Sequence, residues 1–326
     1  MFVASCGGGS SSPATPTAPT TPTVPPTPTN TWSIAGSVVD TVGRQPIAGA
    51  QIAPSWDLPP VTSAADGAYS LGAIPNPPVT PYKLTVTSPG FVPRELRVTW
   101  ERGARTGVTL DIIRDAAPFS MEFYRQLVRG TYDQPGAPFP VLRWRVAPKF
   151  YLKTVDQNGR AIEPEVLIVV RDALLRAVPA YTGGTYSAEA LESGVEVRDA
   201  ADGWINVNIV RDPNERRVCG TAFIGANPGT ITLFNDVCNC GSRKIPGETV
   251  MHAVGHTLGF FHVPDKNSVM FPFTPGNCPP GELSPNERYH AAIAYSRPRG
   301  NTDPDNDSAI SPQLNPAWTT GIFVDR

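Results

Sequence analysis

Three of the four histidines in this 326-residue chain fall within eleven residues: His252-Ala253-Val254-Gly255-His256-Thr257-Leu258-Gly259-Phe260-Phe261-His262. No other stretch limits the fold as tightly. On an α-helix His252 and His256 stand at i and i+4, one turn apart on one face, so both rings reach one point. Gly259 then lets the chain leave the helix, because it has no Cβ to clash at positive φ. A chain that turns there can bring His262 back to the same point. Neutral imidazole is the commonest metal ligand at physiological pH. Three such ligands with a fourth position for water make the geometry of catalytic rather than structural zinc. The segment is therefore expected to form a helix, a sharp exit and a return around one ion. The fourth histidine, His290, is expected on the surface of a later helix.

Eight residues beyond His262 stands Met270, in Ser268-Val269-Met270. Together these residues resemble the metzincin metallopeptidase signature, H-E-x-x-H-x-x-G-x-x-H followed by a methionine-containing turn under the metal. His252, His256, Gly259 and His262 match, and Met270 occupies the place of the Met-turn. The resemblance implies one zinc ion held by the three histidines, and a fold of strand and long helix, further strands, then the metal helix. One position departs. Where the family carries the glutamate that serves as general base, this chain has Ala253. Alanine cannot move a proton, so the resemblance implies the metal site together with lost or much impaired turnover. Glu248, the nearest acid upstream, lies at about −40° around the helix axis from His252 while position 253 lies at about +100°, so it cannot substitute. Phe271-Pro272 follows Met270, where some metzincin groups place a tyrosine as oxyanion donor. The resemblance thus implies a zinc-dependent endopeptidase acting on a peptide or protein. The alternative is a non-catalytic zinc protein that holds a peptide or partner.

Net charge is −2 without a basic block, which gives nucleic acid or an anionic membrane surface nothing to bind. No apolar run is long enough to span a bilayer. Residues 10–30 are almost wholly Ser, Thr and Pro, an extended and partly polyproline II spacer. Ahead of it, Val3-Ala4-Ser5-Cys6 resembles a bacterial lipobox, whose cysteine is lipidated after signal cleavage. The charged and apolar parts of a signal do not precede it, so the true start is expected further upstream. Cys6 is then a lipid anchor and the one membrane contact, and the protein is exported, as an envelope lipoprotein or extracellular. Cys219, Cys238, Cys240 and Cys278 surround the histidine motif. In an exported chain an even number reads as two disulfides, with the pairing open. Cys238 and Cys240 are poorly placed to pair with each other, because the single residue between them strains the bridge.

The expected organisation is multidomain. Residues 1–30 hold the lipobox and linker. Residues 31–114 carry short strand candidates broken by turns such as Asp66-Gly67 and Pro89-Gly90, which suggests a β-sandwich. Its pieces Ile34 to Asp40, Pro46 to Ala50, Asp66 to Leu71 and Tyr82 to Phe91 resemble the carboxypeptidase regulatory-like (transthyretin-like) domain. Residues 115–326 are α/β (α+β), the metzincin-like zinc peptidase domain. Strands are expected at Leu142 to Val146, Phe150 to Leu152, Ile205 to Ile209, Thr221 to Gly225 and Thr230 to Phe234. A helix opens at Glu163-Pro164-Glu165, the metal helix spans 246–260, and Ser284 with Glu287 forms a capping box for a further helix. Near the end, Asp303, Asp305 and Asp307 are oxygen ligands of the kind Ca²⁺ takes. No glycine or later Glu completes a known loop, so a solvated acidic turn is favoured over a calcium site.

Overall fold

Alternating apolar and polar residues between turns bury one face of each N-terminal strand. The computed structural model describes residues 31–55, 58–75, 82–98, 103–211, 219–235, 244–272, 280–307 and 322–324. Cys6, the linker, Cys238, Cys240 and Cys278 lie outside them. In the first sheet β1 (Thr31–Asp40) pairs antiparallel with β4 (Ala68–Pro75) and parallel with β7 (Ala104–Ile112). The second contains β2 (Gln51–Pro54), β3 (Val61–Thr62), β5 (Tyr82–Thr87) and β6 (Arg94–Val98), in the order β3-β2-β5-β6. Ile34, Val38 and Leu110 from the first sheet share a core with Ile52, Leu84 and Val86 from the second.

The C-terminal part is mixed α/β. Strands β8 (Lys149–Lys153), β9 (Ala190–Gly194), β10 (Trp204–Val210) and β12 (Gly229–Phe234) are parallel. Strand β11 (Gly220–Phe223) runs antiparallel to β12, and the short β13 (Ile322–Val324) antiparallel to β11. The order is β13-β11-β12-β10-β8-β9. Helix α2 (Pro164–Tyr181) packs on α3 (Gly247–Thr257), the helix of the histidine motif. Val170 and Leu174 of α2, Val250 and Val254 of α3, and Leu152 and Val207 of the strands lie in one core. Helix α4 (Pro285–Ser296) starts at the expected capping box: Glu287 N donates to Ser284 Oγ at 3.2 Å, and Ser284 N donates to the Glu287 carboxylate at 2.7 Å. Among the described residues no helix is long and apolar enough to cross a membrane.

Four elements were not expected, the short β13 among them. Helix α1 (Met121–Arg129) is capped by Ser120, whose Oγ accepts from Phe123 N, and by Gly130 in the left-handed region. Strand β9 is a half-exposed edge without regular alternation. The two-residue β3 is too short to leave a pattern. Conversely, residues 142–146 form no strand. Their polar groups bond elsewhere: the Trp144 indole donates to the Thr257 carbonyl at 2.8 Å, and Arg299 donates to the Leu142 carbonyl at 2.9 Å. The segment braces the end of α3 instead of joining the sheet.

Asp303, Asp305 and Asp307 form neither a solvated turn nor a calcium site, because each carboxylate is taken by a guanidinium. Arg125 donates twice to Asp303 at 2.8 Å, and Arg297 twice to Asp305 at 2.7 Å. Asp307 accepts from Arg94 at 3.2 Å. Asp305 and Arg297 are fully buried. The network reaches into the β-sandwich: Asp111 of β7 pairs with Arg94 of β6 at 2.7 Å and with Arg297. Asn301 donates to both Asp305 and Asp307 at 3.0 Å, and fully buried Arg129 donates to the Asn301 carbonyl at 2.9 Å. The tail also bridges β6 through main-chain bonds, Glu95 N to the Asp305 carbonyl and Asp307 N to the Glu95 carbonyl.

Burial pushes the Asp111 carboxyl up, but Arg297 and Arg94 outweigh it and hold the group at about 2, below its ordinary 3.8. A pKa lowered by folding gives stability that is fully present above about pH 4 and lost as pH falls through about 2. Arg297→Met leaves Asp305 and Asp111 short of a partner in a buried site, so urea unfolding at neutral pH should show a loss of about 3–5 kcal/mol. The loss should shrink as pH falls toward 2, because protonation of Asp111 removes the pairing from the unmodified chain as well. Unchanged stability in Arg297→Met would mean the network is solvated in solution.

Candidate metal centre

Helix α3 ends at Thr257, one turn before its expected end, and Gly259 takes φ 103° as the chain turns away. The structure brings His252, His256 and His262 together, all buried, with one ligand atom of each within 4.8 Å of the others. His252 Nδ1 lies 2.7 Å from the Val269 carbonyl oxygen, and His256 Nδ1 lies 2.9 Å from that of Phe260. His262 Nδ1 lies 2.9 Å from an Asp133 carboxylate oxygen. Carbonyl and carboxylate oxygens only accept, so each Nδ1 carries the proton and each Nε2 carries a lone pair.

His256 Nε2 and His262 Nε2 stand 3.2 Å apart. Two lone pairs cannot bond to each other, and a proton between them would leave an imidazolium with almost no water. A cation between them satisfies both. Tetrahedral Zn–N bonds of about 2.05 Å place neighbouring nitrogens roughly 3.3 Å apart. The donor set therefore fits a divalent metal on observations of these residues alone.

Two features below the site explain sequence choices near it. Tyr181 Oη donates to Met270 Sδ at 3.0 Å, directly beneath α3. A Cβ at position 255 would stand 2.6 Å from both atoms, so only glycine fits between the two helical histidines. Burial, then the nearby Glu287 charge, pushes the Tyr181 phenol well above its ordinary value. It stays a neutral donor pointed at sulfur. The turn carrying Met270 is held by Glu287 of α4, fully buried, which accepts from Ser268 Oγ at 2.6 Å. Ser268 Oγ in turn accepts from Met270 N at 2.9 Å.

Ala253 is buried on α3, and no carboxyl group stands at that position. Its carbonyl accepts from Thr257 Oγ1 at 3.0 Å. Glu248 lines a separate cleft with Asp172, Arg176 and Glu282. His290 is not on the surface. It is fully buried, its Nε2 accepts from Ser120 N at 3.0 Å and its Nδ1 donates to the Asn286 carbonyl at 2.8 Å. Desolvation lowers its pKa, against the effect of those two bonds. It is a satisfied core residue that pins α4 to the start of α1. Cys219 is disulfide-bonded. Asp133, Glu287, Tyr181 and Gly255 were missed as parts of the site; of these only Gly255, flanked by the histidine spacing, had a local signal.

Residues 33–112 match the family of carboxypeptidase regulatory-like domains. This places the N-terminal β-sandwich in a known domain class. No curated protein matches the chain.

The purified protein should take up about one divalent metal ion per chain, and His256→Ala should lose it. Gly255→Ala should weaken uptake without removing a ligand, because the new methyl displaces Met270 or Tyr181. Metal analysis after dialysis decides both. Full metal content in His256→Ala would remove the centre from this helix.

Proposed function

We propose that the chain is a metzincin-type zinc endopeptidase of the bacterial cell envelope whose turnover is impaired by Ala253. The observation that carries the metal reading is the convergence of three Nε2 lone pairs, each fixed by an oxygen on the opposite ring nitrogen. His252, His256 and His262 would hold the zinc, with Met270 beneath them. Bound zinc supplies Lewis acidity, which polarises a peptide carbonyl and makes water a better nucleophile. This chain's own residues hold the metal and exclude bulk water, yet none at position 253 accepts a proton. The mixed sheet followed by a histidine-bearing helix supports the same family reading. Export and a lipid anchor at Cys6 belong to this proposal through the lipobox-like start.

A second reading is favoured by Ala253 itself: a non-catalytic zinc protein whose metal centre serves to hold a peptide or partner protein. One substitution separates the two. Ala253→Glu restores the missing carboxylate at a buried helical position, where a metal-bound water would have to offset the cost of burying it, so retention of fold is checked by circular dichroism. If the metal centre is that of a peptidase, cleavage of a broad peptide library should rise at least roughly 10²-fold, and a chelator should abolish the rise. A folded, zinc-loaded Ala253→Glu variant that cleaves nothing would favour the binding protein. Brisk cleavage by the unmodified chain would show that another residue supplies the base.

A further inference from the structure

We infer that Asp133 is the positioning residue for the third metal ligand, and that docking of the turn after α1 completes the centre. The inference rests on the metal reading above. Helix α3 presents His252 and His256 by spacing alone, and each Nδ1 then meets a main-chain carbonyl. His262 has no such support. It lies in irregular chain beyond Gly259, outside any helix or ladder. The chain on either side is held by Phe261 N donating to the Leu127 carbonyl and Val263 N to the Met270 carbonyl, and the ring itself meets a carboxylate. His262 N donates to Asp133 Oδ2 at 3.1 Å, while His262 Nδ1 donates to Asp133 Oδ1 at 2.9 Å. Gripping the main chain and the ring at once sets both the path of the strip and the direction of Nε2.

The carboxylate is itself held in place. Asp133 sits in the turn that follows the left-handed cap Gly130, closed by Gln134 N donating to the Gly130 carbonyl at 2.8 Å. Beside it Phe261 N donates to the Leu127 carbonyl at 2.8 Å, and Phe261 stacks on Phe139 with centroids 5.0 Å apart. The end of α1 and the exit of α3 therefore meet over a hydrogen bond, a ring stack and the Asp133 grip. Asp133 is also the one charged group among the three oxygens that orient the ligand rings. A carboxylate there fixes the tautomer and makes Nε2 a stronger donor to a cation, as partners of metal-bound histidines generally do.

The test uses the full chain and zinc alone, with affinity measured by competition against a chromophoric chelator. Asp133→Ala should bind zinc about 10–100-fold more weakly than the unmodified chain. Asp133→Asn keeps the size but offers one acceptor oxygen for two donors, so it should fall in the same direction and guards against misfolding in the alanine variant. The second readout is the visible spectrum of the cobalt-loaded protein, which reports ligand number. Asp133→Ala should move it toward the spectrum of His262→Ala, which a general loss of stability would not do. Affinities of both variants within about twofold of the unmodified chain, with the same cobalt spectrum, would overturn the inference and leave the metal centre standing. An unmodified chain that binds neither zinc nor cobalt would bring down the metal reading and this inference with it.

Discussion

An imidazole has two nitrogens and, when neutral, one proton. At His252, His256 and His262 a fixed oxygen takes that proton on Nδ1, and the three Nε2 lone pairs are turned toward one another. Left alone this is repulsive, in a place where water cannot screen it. Much of the nearby architecture exists to hold that arrangement. The Val269 carbonyl comes from a loop fastened by Glu287, the Phe260 carbonyl from the exit after Gly259, and the Asp133 carboxylate from the turn after α1. Three separate elements supply the three orienting oxygens. A cation at the centre turns their combined strain into attraction.

A second polar core lies where the β-sandwich meets the C-terminal part. Arg94 and Arg297 face Asp111, Asp305 and Asp307, while Arg125 and Arg129 pair with Asp303, so four guanidiniums meet four carboxylates. Such a network is no proof of large stability, since an apolar replacement often does as well. What it does provide is orientation: bidentate pairing of Arg297 with Asp305 admits little freedom. Helix α1 takes part in both polar cores. Its Arg129 side chain reaches Asn301 and Pro304, and the turn just beyond it carries Asp133.

The elements legible in the sequence were those with short-range causes. The i, i+4 histidines, the Ser284–Glu287 box and the alternation in β10 each involve residues within a few positions of one another. Helix α1 had such signals too, in Ser120, Gly130 and the apolar stripe of Tyr124, Leu127 and Val128, but it spans only nine residues. Trp144 misled because alternating apolar residues can brace a helix end as well as fill a strand. Other parts have long-range causes. Asp133 lies 129 positions before His262, and Arg94 lies 213 positions before Asp307. A carboxylate in a polar stretch looks solvated until the fold supplies its arginine, and this is why the tail's acids resembled a loose turn. His290 was misjudged for the same reason: its acceptor role depends on Ser120, 170 positions away.

Arg94 and Asp111 have a bearing on how such a protein can change through descent. Domains of the regulatory-like class look exchangeable, because a compact sandwich with its own apolar core needs little from a neighbour. Here a set of buried charges is divided across the seam, with Arg94 and Asp111 on one side and Arg297, Asp305 and Asp307 on the other. Swapping the sandwich for another would strand Arg297 against Asp305 alone and leave Asp307 without Arg94. A chimera joined near residue 114 would therefore have to carry both sides of the charge set, or neither.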